Sequence, residues 1–142
     1  MTKADDAAAL FNQGFNCTQA VLSVFAEGFG LDKDTAHRIA QGFGAGVSRT
    51  DDKCGAVSGA IMVLGLRYGG IRADDSDAKE KTYAMVADFL QRFKRLHGSI
   101  ECTDLIGYNL SDPRQHAEAK KIVPVRCPMF VSDAVTLLES VM

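Results

Sequence analysis

The sequence predicts an all-α protein, a compact bundle of five to seven helices. Two observations carry this reading. Apolar residues recur at i, i+3, i+4 and i+7 along most of the chain, and glycine, proline and small polar cap residues punctuate those runs at helical lengths. A third supports them: no segment alternates apolar and polar residues as a half-buried strand does.

The first stripe runs through Cys17, Ala20, Val21, Val24, Phe25 and Gly28. Residues 33–43 repeat it with Ala36, Ile39, Ala40 and Phe43, capped by Asp32 or Asp34 and ended by Gly42 and Gly44. Residues 54–68 are apolar almost all round, the pattern of a buried helix, and stop at Gly69-Gly70. The next helix is expected to open in the acidic Asp74–Asp77 run, since carboxylates favour the positive end of a helix dipole. Its core face reads Tyr83, Val86, Ala87, Leu90 and Phe93, with Gly98 suited to C′.

Residues 100–106 predict two further turns ended by Gly107. Ser111-Asp112-Pro113 reads as a cap pair with Pro at N1, opening a short polar helix to about Lys121. Ile122-Val123-Pro124-Val125 looks β-like, and Pro124 demotes it to an extended linker. Arg126-Cys127-Pro128 then opens the last helix, with face Phe130, Ala134, Leu137, Leu138 and Val141.

Composition excludes several function classes. The 142 residues suit one domain, 1–142, with no internal repeat or linker, and a chain this long buries about two-thirds of its unfolded surface without staples. Sixteen basic against 18 acidic residues, a net charge of −2, leave no basic footprint for nucleic acid. The longest apolar stretches, such as Ala60–Leu64, fall far short of the roughly 20 residues a membrane helix needs, so no membrane insertion is expected. Met1-Thr2-Lys3-Ala4-Asp5-Asp6 carries no secretory h-region, so the expected compartment is cytoplasmic, where thiols stay reduced. A redox partner protein is not readable, and a homodimer is compatible with the sequence.

Four cysteines, about 3% of the chain against the roughly 8–10% of a disulfide scaffold, need an explanation other than a missing core. Cys17, Cys54, Cys102 and Cys127 form no C-x-x-C pair, and no C-x-x-C-H offers c-type haem attachment. Cys17 follows the cap residue Asn16, Cys54 follows Thr50-Asp51-Asp52, Cys102 follows Ser99 by three, and Cys127 precedes Pro128. All four are therefore expected in or just before a first helical turn, where unpaired N–H groups and the helix dipole favour thiolate. The alternative is that each is a small buried hydrophobe. Lys120, Lys121 and Arg126 flank Cys127 and either lower its pKa or face water.

Cys54-Gly55-Ala56-Val57-Ser58-Gly59 puts two glycines four apart on one face of the most apolar helix, although each costs about 1 kcal/mol against Ala there. That bare face of Gly55 and Gly59 admits either a tightly packed helix or a bulky prosthetic group.

Cys17, the segment Cys54–Gly59, Cys102 and Cys127, together with Gly14-Phe15-Asn16-Cys17-Thr18-Gln19-Ala20-Val21-Leu22, resemble a redox-active family named for four cysteines and a CGAxxG signature. The resemblance spans essentially the whole chain. It implies a small redox-active protein, often encoded near transporter genes. The chain is also similar to the C-terminal part of split-Soret cytochrome c, where a similar cysteine set has been linked to an iron–sulfur cluster. The haem-attaching part of that protein has no counterpart here.

Other constellations say less. Gly42-Phe43-Gly44-Ala45-Gly46 lacks the spacing and the strand–helix setting of a dinucleotide fingerprint and the Lys-Ser/Thr of a P-loop, so no nucleotide is expected and a flexible loop is the better reading. His37, His97 and His116 read as surface residues, with His97 the nearest in sequence to a cysteine. Three functions then remain: an iron–sulfur site on Cys17, Cys54, Cys102 and Cys127 for electron transfer or redox sensing; metal-free thiol–disulfide chemistry of the same four, with Gly55 and Gly59 beside the crevice; and a structural zinc site in a binding module.

Overall fold

Eight α-helices make up the fold in the computed structural model, which describes residues 1–142, and no strand is present. They are α1 (Lys3–Gln13), α2 (Cys17–Ala26), α3 (Lys33–Gln41), α4 (Gly55–Tyr68), α5 (Ser76–His97), α6 (Cys102–Ile106), α7 (Pro113–Ala119) and α8 (Val123–Val141). The all-α reading holds, and the count exceeds the five to seven expected by one. No helix is long and apolar enough to cross a membrane.

The additional helix is α1. Thr2 and Asp5 close a capping box on it, and Gly14 at φ 117° ends it in a conformation that other residues resist. Its buried face is made of alanines, Ala4 and Ala7, too weak a stripe to stand out in sequence, yet it packs along the whole-length helix α8. Helix α2 is the centre of the molecule. Nearly every residue from Cys17 to Ala26 is buried, between α1, α3 and α4. The buried apolar side chains form one continuous cluster across these helices.

Gly55 and Gly59 are where α4 meets α2. A Cβ on Gly59 would stand 2.9 Å from Val21 Cβ and 3.0 Å from Thr18 O, and one on Gly55 2.8 Å from Thr18 Oγ1. Thr18 Oγ1 donates to Gly55 O at 2.9 Å across the same contact. Close helix packing, rather than a prosthetic group, fills the bare face at Gly59.

Several elements differ from the sequence reading. Gly28 sits in a 3₁₀ turn, Glu27–Phe29, after α2 has ended. Ile39 (51% exposed) and Phe43 lie outside the core, and so does Tyr83 (60% exposed), because the first half of α5 projects beyond the bundle and only Phe89 and Phe93 of that helix are buried. Residues 122–125 are not an extended linker. Helix α8 starts at Val123, where Pro124 occupies a first-turn position whose N–H would be unpaired anyway, and Pro128 then costs one internal hydrogen bond. Cys127 accordingly lies in the second turn of α8, not ahead of its start.

The expected flexible loop after α3 is a fixed left-handed turn. Ala45, Gly46, Val47, Ser48 and Arg49 all have φ between 57° and 68°. For residues with a Cβ this costs about 1–2 kcal/mol each, and neighbours hold it in place. Asn16 Nδ2 donates to Gln41 O, Ser48 Oγ to Gly42 O (2.7 Å), Asp52 N to Gly46 O (3.1 Å) and Thr103 Oγ1 to Asp51 Oδ1 (2.6 Å). Gly44 packs directly on the Asn16 side chain, and Gly46 lies under Cys102 Cβ, so neither position has room for a side chain.

Candidate functional site

Three helix starts converge on one place. Asn16 caps α2, its side chain accepting from Gln19 N while Gln19 Oε1 accepts from Asn16 N, and Cys17 is the first residue inside. Cys54 is itself the N-cap of α4. Cys102 opens α6, capped by Glu101 rather than by Ser99, whose hydroxyl accepts from Glu101 N and donates to Asp104. A single antiparallel bridge, Lys53 with Glu101, clamps the last two starts together. Cys54 N donates to Ile100 O at 2.8 Å, Cys102 N to Asp52 O at 3.0 Å, and the Lys53 ammonium lies 3.5 Å from the Glu101 carboxylate.

All four cysteines are buried free thiols, and all four line one cavity of about 380 Å³. Phe11, Phe15, Leu105, Ile106, Leu110 and Phe130 supply much of its apolar wall. Gly55 also borders it.

Burial, not the helix ends, dominates three of the thiols. Desolvation pushes Cys54 up to about 11, against backbone N–H groups of Ala56 and Val57 that pull it down. Desolvation and then the neighbouring Cys54 and Cys127 push Cys102 up to about 12. The neighbouring Cys127 thiol, and then burial, raise Cys17 well above its ordinary value. Cys17 in turn lowers Cys127 against its own burial. The expectation that each helix start favours thiolate is thus overturned for Cys17, Cys54 and Cys102. The one thiol held low is the one outside a first turn, and its partner is a cysteine rather than Lys120, Lys121 or Arg126. The Arg126 guanidinium instead donates to Leu105 O at 3.1 Å.

The histidines also depart from the sequence reading. His97 is only 9% exposed at its side chain, packed against Phe93 and Phe130, with Nε2 3.1 Å from Asp133 Oδ2. His37 stacks on Phe15 at 4.2 Å, and half-buried His116 borders the cavity. The left-handed turn that places Ala45 and Arg49 in the cavity wall was missed altogether. Its two tightly packed glycines, Gly44 and Gly46, were the only available signal.

The donor set has the number and softness of an iron–sulfur or zinc site. No three His, Cys, Asp or Glu side chains, however, stand as a group that holds a metal ion.

Four thiols, three at helix starts and one in the second turn of α8, wall one cavity, the outline of a cysteine-based redox site. The chain belongs to the family described as "Putative redox-active protein (C_GCAxxG_C_C)", whose model matches residues 15–141. No curated protein and no solved structure gives a significant match.

Proposed function

We propose that Cys17, Cys54, Cys102 and Cys127 act as one redox site that holds an iron–sulfur cluster, for electron transfer or redox sensing. The observation that carries this reading is that four buried thiols from four separate helices line a single cavity. Such a set is costly to ionise alone, because burial and mutual repulsion oppose it. Iron would supply the positive charge that thiolates need, and its redox couple is the chemistry a bound cluster contributes. The protein's part is to hold the ligands, exclude water with Phe15 and Phe130, and offer Ala56 and Val57 N–H groups to the Cys54 sulfur. Protein purified without oxygen and reconstituted with iron and sulfide is expected to be brown, with a visible charge-transfer band that bleaches on reduction. A colourless product would reject the cluster.

The Cys17–Cys127 contact favours a second reading, a metal-free dithiol. The Cys127 thiolate would attack a disulfide, forming a mixed disulfide and expelling one thiol. Cys17 would then displace the second thiol, leaving a Cys17–Cys127 bond and a reduced substrate. Mild diamide oxidation followed by peptide mapping is expected to give that one linkage, and scrambled linkages would reject it. Free thiols at rest suit a reducing compartment such as the cytoplasm.

A further inference from the structure

The rim of the cavity carries chemistry that the thiols do not use. Arg49, His116 and Lys120 line it, and no Asp or Glu does, in a chain whose net charge is −2. None of the three is among the residues in ion pairs, which join Lys33 to Glu27, Lys53 to Glu101, Arg72 to Asp74, Arg92 to Asp88 and His97 to Asp133. The remaining wall is mostly apolar, and about 380 Å³ lies within the roughly 300–1,000 Å³ typical of small-molecule sites with a few polar groups.

The backbone adds a second, independent observation. Arg49 reaches the wall from a left-handed residue, φ 64°, at the end of the turn that begins at Ala45. Strain of this kind survives where the surroundings over-determine it, and it gathers at ligand clamps. Here Ser48, Asp51 and Gly46 fix the turn, and Arg49, its last member, has an exposed side chain without a protein partner.

We propose that this cavity binds a small organic anion, its apolar body among the aromatic and aliphatic wall residues and its carboxylate or sulfonate at Arg49 and Lys120. His116 adds to the attraction when protonated. The four sulfurs line the same cavity, so the anion site belongs to the metal-free protein and rests on the thiol–disulfide reading.

Titration calorimetry on the full chain, reduced, anaerobic and without added iron, tests it with octanoate, 1-octanol and octylamine as probes. Octanoate is expected to bind, 1-octanol at least about tenfold more weakly, because it lacks the charge-assisted contact, and octylamine more weakly still. Arg49→Asn retains a residue tolerant of the left-handed backbone, and Lys120→Gln alters an exposed side chain. Each is expected to weaken octanoate about tenfold, with an unchanged circular dichroism spectrum. Octanoate is also expected to slow alkylation of Cys127 in the wild type. No octanoate binding, equal binding of 1-octanol, or wild-type affinity in Lys120→Gln would overturn the proposal. A failure to load iron leaves every one of these readouts intact.

Discussion

Cys17, the first residue of α2, and Cys127, in the second turn of α8, line the same cavity and shift each other's acidity in opposite directions across helices far apart in sequence. Cys17 is raised and Cys127 is lowered, which marks Cys127 as the thiol of the four that ionises most readily.

In the metal-free protein, iodoacetamide is therefore expected to label Cys127 before the other three, and at a lower pH. Cys17→Ala removes the side chain that lowers Cys127, so the labelling profile of Cys127 should move to higher pH. Mass spectrometry of timed, quenched samples reads both effects. Equal labelling of all four would count against the pairing.

Alkaline pH should loosen the metal-free fold. Folding raises Cys54 from 9.0 to about 11 and Cys102 from 9.0 to about 12. Below pH 9 both folded and unfolded chains hold these two protons, and Cys54 and Cys102 add no pH dependence. Above it the unfolded chain releases protons that the folded chain keeps, so stability falls as pH rises toward the folded values. The slope is bounded by about 1.4 kcal/mol per pH unit for each thiol. Urea melts between pH 8 and 11 measure it, and Cys54→Ala should flatten the curve.

Two glycines of α4 make opposite predictions. Gly59→Ala drives a methyl into Val21 and the Thr18 carbonyl and should cost about 1–3 kcal/mol. Gly65 has open space where its Cβ would lie, so Gly65→Ala should stabilise by about 0.5–1 kcal/mol through helix propensity. Urea unfolding of the pair compares them directly.

Arg49→Gly should raise stability by about 1 kcal/mol, because glycine adopts the left-handed backbone at no steric cost and the arginine side chain is exposed. The same variant should lose octanoate affinity. A more stable, weaker-binding protein is the signature of strain retained for a ligand.

Much of the fold was legible because its helices announce themselves. The Asp32 cap, the apolar run from Gly55 and the Gly98 stop are local chemistry, and each recurs in the structure. Helix α1 was not legible, since Ala4 and Ala7 acquire their role only from the α8 surface they meet. Pro124 misled for a related reason: in the first turn it is harmless, and only the tertiary position of Val123 shows that a first turn is there. The four cysteines could be read as a set, but their acidities could not. Helix ends are a local feature, whereas burial and the Cys17–Cys127 contact arise from α2, α4, α6 and α8 coming together. The left-handed turn at Ala45–Arg49 has no local cause beyond Gly44 and Gly46, where Asn16 and Cys102 leave no room for a side chain.

The claim that the four cysteines form one site is tested most directly by iron content across single substitutions. Wild-type protein, reconstituted and desalted without oxygen, should retain stoichiometric iron and sulfide. Cys17→Ser, Cys54→Ser, Cys102→Ser and Cys127→Ser should each lose most of it, while keeping a helical circular dichroism spectrum. Full iron retention in any one of the four, or no iron in the wild type, would contradict a joint cluster site.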